Sequence, residues 1–347
     1  MRRIISVLLV VLLSCTVLAC APVPEAPAPV QTENAGGEPA PETPAKDTIV
    51  IGFAQQFTSE FMQSVLTGCY EKIEELNAKG GPQIEFKLVN AESDPDKQNT
   101  QVETLIAQEV DAIILNPVDA SSNAVAVDNA VAAGIPIITV NCMTKNQDKA
   151  TAYSGCDDVE AGRLMMQRFV DKLGETAKVV CLNGATGHSA QIQRKQGFDE
   201  VLAKYPTVDL VGELGGEWGT EPAQRTIESL LEAGKEFQAV GTHSDEQTKG
   251  VINALQAAGF EPGEILTGGV DGNFYALEYI EQGWQDCTLY QNGLEQGAGA
   301  VALAYAAAQG EAVKDNVVPY ILVSAENLQD MYDHFKERDA KIAKYFK

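Results

Sequence analysis

From Thr48 onward, short runs of β-branched and aliphatic residues alternate with longer stretches whose apolar residues recur every third or fourth position. The run TIVIGFA at 48–54 predicts a buried strand. Ser59 to Lys79 places Phe61, Val65, Cys69, Ile73 and Leu76 on one stripe and stops at Gly80-Gly81, the pattern of an amphipathic helix. Further strands are predicted at 84–90, 112–115 and 136–140, with helices at 97–108 and 122–133. The stretch 141–158 reads as a loop, after which the rhythm restarts. Strands follow at 178–182, 208–214, 239–242, 265–270 and 288–291, with helices at 189–205, 221–233, 246–258 and 274–282 between them. Regular strand–helix alternation predicts parallel sheets covered on both faces, and two runs of it predict an α/β protein of two doubly wound lobes.

In open parallel sheets, ligands sit beyond the carboxyl ends of the strands. In this chain those positions carry Gln55-Gln56, Asn116, Asn141-Cys142, the 184–188 turn ending in His188, and the loop around Trp218. His243-Ser244-Asp245, Asp271-Gly272 and Gln291-Asn292 follow. Amides and carboxylates with one flat indole suit a small, neutral, polyhydroxylated ligand. Singly, Asn116, Ser189 and Ser244 read equally well as helix caps. His243, Ser244 and Asp245 are the residue types of a hydrolytic triad, but neighbours on one loop cannot face each other as that relay requires. No G-x-S-x-G elbow or phosphate-binding loop is present, so an enzyme is not expected, and no cofactor is called for.

The formal charge of -24 argues against nucleic acid and anionic lipid as partners. Beyond Cys15 and Cys20 the cysteines are Cys69, Cys142, Cys156, Cys181 and Cys287, an odd number at irregular spacing. Buried free thiols are expected, and no metal site, since the chain has no C-x-x-C and its three histidines lie far apart. The opening MRRIISVLLVVLLSCTVLAC has a basic start and an apolar run too short to span a bilayer, which is a secretory signal. Its Val17-Leu18-Ala19-Cys20 ending resembles the lipobox of bacterial lipoproteins, in which the cysteine is acylated. Residues 21–46 are rich in Pro, Ala and Glu, lack aromatics and predict an extended spacer. The expected location is therefore extracytoplasmic, with Cys20 as the only membrane anchor.

Several segments, in order, resemble the periplasmic sugar-binding proteins of the ribose-binding type over roughly 280 residues. They are KDTIVIGFAQQFTSEFMQSVLTG, ILNPVDASSNAV, GIPIITVN, GATGHSAQIQRKQGF, THSDEQTKGVINALQAAG, GGVDG and LYQN. The resemblance implies a type I periplasmic binding fold, with lobes of 47–155 plus 292–322 and of 156–291 plus 323–347 joined by three hinge strands. It implies closure on one sugar or polyol and delivery to the permease subunits of an ABC transporter by a monomer. Carried over by position, Phe61, Met62 and Trp218 are implied to stack on the sugar. Asn116, Asn141, Arg194, Ser244, Asp271 and Gln291, with Ser59, are implied to hydrogen bond to it. The family typically has Asp-Arg where this chain has Asn141-Cys142, so a ribose-like pyranose does not transfer, and a smaller sugar, a polyol, a modified sugar or a furanone-type signal stays open. A binding module for a chemoreceptor or sensor kinase and a nucleoside binder are the alternatives. A repressor of the lactose type is excluded by the signal and the acidic spacer. The helix DHFKERDAKIAKYF lies beyond the resemblance and is expected on one lobe's surface.

Overall fold

A computed structural model describes residues 46–215 and 217–346. The signal stretch, Cys20 and the spacer up to Ala45 lie outside the described residues. The strands are β1 (Thr48–Gln55), β2 (Gln83–Asn90), β3 (Ala112–Leu115), β4 (Ile137–Val140), β5 (Ala152–Gly155) and β6 (Lys178–Asn183). They continue with β7 (Asp209–Gly215), β8 (Ala239–Thr242), β9 (Leu266–Asp271), β10 (Cys287–Tyr290), β11 (Asn316–Val317) and β12 (Ile321–Ser324). The helices are α1 (Glu60–Ala78), α2 (Pro95–Ala107), α3 (Ala124–Ala132), α4 (Asp158–Leu173) and α5 (Ser189–Leu202). The remainder are α6 (Thr220–Glu232), α7 (Asp245–Ala257), α8 (Phe274–Glu281), α9 (Gly293–Ala308) and α10 (Leu328–Tyr345).

The strands form two sheets of order β11-β5-β4-β3-β1-β2 and β12-β10-β9-β8-β6-β7. Every pairing is parallel except β10 with β12. Each sheet is buried on both faces, the first between clusters around Ile51, Phe53 and Val65 and around Val102, Leu115 and Val127. The second lies between clusters around Met165, Phe169 and Phe198 and around Ile227, Val240 and Val251. Strands covered on both sides read as unbroken apolar runs, which is why they were legible in the sequence. The chain passes between sheets three times, after β5, after β10 and after β11. Both lobes belong to one compact unit spanning Ala45–Lys347.

Several elements depart from the sequence reading. The presumed loop at 141–158 contains β5, and α4 and α9 had no counterpart in the predicted pattern. Ile321 and Leu322, expected in the first lobe, belong to β12 of the second sheet. Helix α10, expected on one lobe, packs on both. Its Leu328 and Phe335 join Leu277 and Tyr290 of the second lobe. Its far end meets α1 of the first lobe, where Lys344 pairs with Glu74 at 2.8 Å and the Tyr345 ring lies 5.2 Å from that of Tyr70. The five body cysteines are buried and free, as expected. Among the described residues no helix is long and apolar enough to cross a membrane.

Glycines set how close paired helices stand. A Cβ on Gly68 of α1 would overlap the carbonyl of Leu294 in α9, and one on Gly297 would overlap that of Val65. In the second lobe Gly162 of α4 meets the Arg194 carbonyl and Gly197 of α5 meets that of Val159. Neither backbone can yield without moving its whole helix. Gly162→Ala is therefore expected to lower stability by about 1–3 kcal/mol in urea unfolding, the usual cost of overpacking.

Candidate functional site

The carboxyl ends of both sheets face a cavity of about 370 Å³ between the lobes. The first lobe contributes Ser59, Phe61 and Asn141. The second contributes Arg194, Trp218, Ser244 and Asp271, and Gln291 enters from the second crossing. Of the sequence-derived candidates, two lie elsewhere. Met62 is 1% exposed and packs in the core between α1 and the first sheet, because its place on the helix turns it inward while Phe61 faces out. Asn116 is fully buried behind the cavity wall. It accepts from the Gln56 amide at 3.3 Å and donates to the Val140 carbonyl at 3.1 Å, tying two strand ends together.

Two candidates also act as helix caps. Ser59 accepts from the Met62 amide at 3.1 Å at the start of α1, and Ser244 accepts from the Gln247 amide at 3.3 Å at the start of α7. Capping holds each side chain at the cavity edge, so the two readings of these residues are compatible.

Arg194 is the best-anchored group in the site. Its Nε donates to Asp158 at 2.8 Å, one terminal nitrogen donates to the His243 carbonyl, and the other lies 3.0 Å from the Tyr320 hydroxyl. Tyr320 also donates to Asp158 at 2.6 Å. Burial works against the guanidinium charge, but Asp158, Tyr320 and Asp271 together outweigh it and hold the pKa above its ordinary value. The guanidinium lies 6.0 Å from the centre of the Trp218 ring.

Asp271 has a backbone φ of 119°, in the region that disfavours side chains. Asp245 holds this turn. Its carboxylate accepts from the amides of Gly272 and Asn273 and from the Thr288 hydroxyl, each at 2.9 Å, and from Gln285 at 3.0 Å. Asp271 itself accepts from Gln291 at 2.7 Å. Burial pushes its pKa up, against the pull of Arg194 and with the repulsion of Asp245. Asn141, in left-handed backbone at φ 62°, donates to Gln291 at 3.1 Å and to Gln296 at 3.2 Å. Asparagine tolerates this conformation better than most residues. The cavity thus presents a buried guanidinium held by Asp158 and Tyr320, beside a carboxyl and two amides joined to each other by hydrogen bonds, with Phe61 and Trp218 contributed by opposite lobes.

Sequence reasoning missed the support around this network. Asp158 and Tyr320 hold Arg194 but lie on the first and third crossings, far from it in sequence. Asn273 and Glu246 line the cavity without having been singled out. His188, noted as adjacent, lines it, whereas His243 is buried beneath within the second lobe, its Nδ1 accepting from the Gly184 amide at 3.2 Å.

The family model described as a periplasmic binding protein domain matches residues 51–312. The chain belongs to this family of solute-binding proteins. A xylitol-binding protein of Mycolicibacterium smegmatis is 33% identical over 254 residues, covering 72% of this chain and 72% of that protein. A ribose import binding protein of Bacillus subtilis is 33% identical over 204 residues, covering 59% of this chain and 65% of that one. An ABC transporter solute-binding protein of Bacillus halodurans, solved with bound myo-inositol, superposes with a TM-score of 0.78 at 33% identity. It covers 84% of this chain and 99% of that structure. In this periplasmic binding protein the two α/β lobes, the three crossings and the cavity at the strand ends follow the type I architecture.

Removing one member of the Arg194 cluster exposes the cost of burying charge. Asp158→Ala is expected to lose about 3–5 kcal/mol of stability, since it strands the guanidinium. Tyr320→Phe is expected to lose about 1.5–3 kcal/mol through its hydroxyl's two hydrogen bonds, one to each member of the charged pair. Urea unfolding midpoints order the two variants.

Proposed function

We propose that this protein captures one small neutral sugar or polyol between its lobes outside the cytoplasm and delivers it to an ABC permease. The observation that carries this reading is the convergence of the Arg194–Asp271–Gln291–Asn141 set with Phe61 and Trp218 on a single interlobe cavity. A volume of about 370 Å³ is at the small end for ligand pockets and suits a single ring or a short polyol. The joined amides and carboxyl of Asn141, Gln291 and Asp271 meet ring hydroxyls cooperatively beside the guanidinium, while the aromatic faces meet C–H surface. Ser59, Ser244 and Asn141 would complete the hydroxyl contacts. With contacts drawn from both lobes, the ligand binds the closed state more tightly than the open one, which is the condition for a ligand to drive closure. The relatives named for xylitol and ribose and the myo-inositol-bound structure support the ligand class.

Cys20 is proposed as the lipid anchor, on the strength of the Val-Leu-Ala-Cys sequence. The Pro-rich spacer then keeps the binding unit near its permease and raises its effective concentration there. Labelled palmitate is expected to enter the wild-type chain and not Cys20→Ser.

A thermal-shift screen with myo-inositol, xylitol and D-ribose tests the ligand class, because a true ligand raises Tm by mass action. Asp271→Ala and Trp218→Ala are each expected to weaken the responding ligand at least tenfold, about 1.4 kcal/mol, with the fold intact. Titration calorimetry giving wild-type affinity in both variants would refute the site.

A further inference from the structure

His188 belongs to the second lobe, at the residue preceding α5, yet its ring is packed against the first. Its Nε2 lies 2.7 Å from Oε1 of Gln56 and 3.3 Å from Sγ of Cys142, both at strand ends of the first sheet. Only 4% of the residue is exposed. The Trp218 ring closes it in from the second lobe, 5.0 Å away and nearly perpendicular. Its neighbours cross the same seam. The Ala120 amide donates to the Gly187 carbonyl at 2.9 Å, and the Met143 amide donates to the Ser189 hydroxyl at 2.8 Å. Residues 187–189 therefore hold the first lobe through consecutive contacts, and parting the lobes must break them together.

We propose that His188 is a positioning residue that locks the lobes together over the cavity, and that acid outside the cell loosens the lock. The consequence for ligand retention rests on the reading of that cavity as the ligand site; the seam itself does not.

The chemistry follows from the partners. Oε1 of Gln56 is an acceptor, so Nε2 carries the proton and a neutral ring leaves Nδ1 bare, 3.9 Å from Sγ of Cys142. Burial pushes the Cys142 thiol well above its usual pKa, so it stays neutral and offers no anion to a protonated ring. The charged groups that bear on the ring are Arg194, from its own helix, and Asp119, from the first lobe. Asp119 spends one carboxylate oxygen on the amides of Ser121 and Ser122 and makes no hydrogen bond to the ring. Burial, aided by Arg194 and opposed by Asp119, pushes the His188 pKa down to about 3 while the seam is made. With the lobes parted the ring meets water and returns to an ordinary value of about 6.5.

The sign is then fixed. At His188 the closed form takes up fewer protons than the open one between these two values, whereas Asp271, whose pKa burial in the same cavity raises, takes up more, so the His188 contribution is the difference between the wild type and a variant without the ring. That contribution to closure is fully present above the open-state pKa and weakens as pH falls below it, by about tenfold per pH unit. His243 lies inside the second lobe, against Gly184 and Cys181, so parting the lobes does not uncover it. His334 sits on α10 against the Tyr290 hydroxyl, away from the seam.

The seam carries its own probes, the amides of Ala120 and Met143. Hydrogen exchange on the full-length protein, corrected for the intrinsic pH dependence of exchange, is measured from pH 7.5 to 4.5. Relative to His188→Gln, which keeps a neutral donor, wild-type protection of these two amides is expected to fall about tenfold per unit below about pH 6.5, while core amides such as Ile113 and Val180 hold. His188→Asn serves as the reference if the core amides of the first variant lose protection. A wild-type pH profile parallel to that of the variant down to pH 4.5 overturns the proposal. Repeating the series with 10 mM myo-inositol separates the two readings. A pH-dependent seam that this probe and the screened polyols leave unchanged counts against the ligand class and not against the lock.

Discussion

A guanidinium keeps its charge in a protein interior and is costly to bury without a carboxylate beside it, and this requirement organises the molecule around Arg194. The partners are Asp158, just past the first crossing between lobes, and Tyr320, in the third. The second crossing supplies Gln291, which bonds Asp271 across the cavity from the arginine. All three hinge segments thus end in groups that either hold the arginine or bond a residue lining the same cavity. A change at the hinge is felt at the cavity because the same atoms serve both, and no separate relay between them is needed.

The remaining features serve this placement. Glycine contacts let α4 and α5 approach until the Arg194 backbone meets Gly162, which sets where the guanidinium enters. The buried carboxylate of Asp245 ties down the strained turn at Asp271 with backbone amides. On the far rim, the seam at His188 joins residues that the hinge does not reach. Helix α10 adds a second bridge, with its core contacts in one lobe and its ion pair and aromatic contacts in the other. The cavity is therefore bounded by hinge, seam and helix, each using a different kind of contact.

Where this chain departs from the ribose-binding pattern, the structure gives the departure a physical use. Asn141 and Cys142 stand where the resemblance leads one to expect an aspartate and an arginine. Asn141 fits left-handed backbone and turns its amide onto Gln291 and Gln296. The small neutral thiol of Cys142 leaves room for the His188 ring beside it. A site whose one cation is already paired, lined also by amides, hydroxyls and the carboxyls of Glu60, Glu246 and Asp271, offers donors and acceptors suited to hydroxyl groups rather than to an anion.

By itself the sequence determined the alternation of buried strands and amphipathic helices, hence the two-lobed α/β class, and the rule that a ligand meets the strand ends. Those signals are local: apolar runs for strands buried on both faces, helical stripes, and polar residues where strands stop. It also marked Ser59, Phe61, Asn141, Arg194, Trp218, Ser244, Asp271 and Gln291, which the structure gathers around one cavity. Only the tertiary structure turned Met62 into the core and Asn116 behind the wall, because one position along a helix or past a strand decides which way a side chain faces. Likewise Asp158, Tyr320 and the His188 seam depend on residues brought together from distant crossings. No pattern along the chain records such pairings, since the low-dielectric interior that makes them necessary exists only once the two lobes have folded.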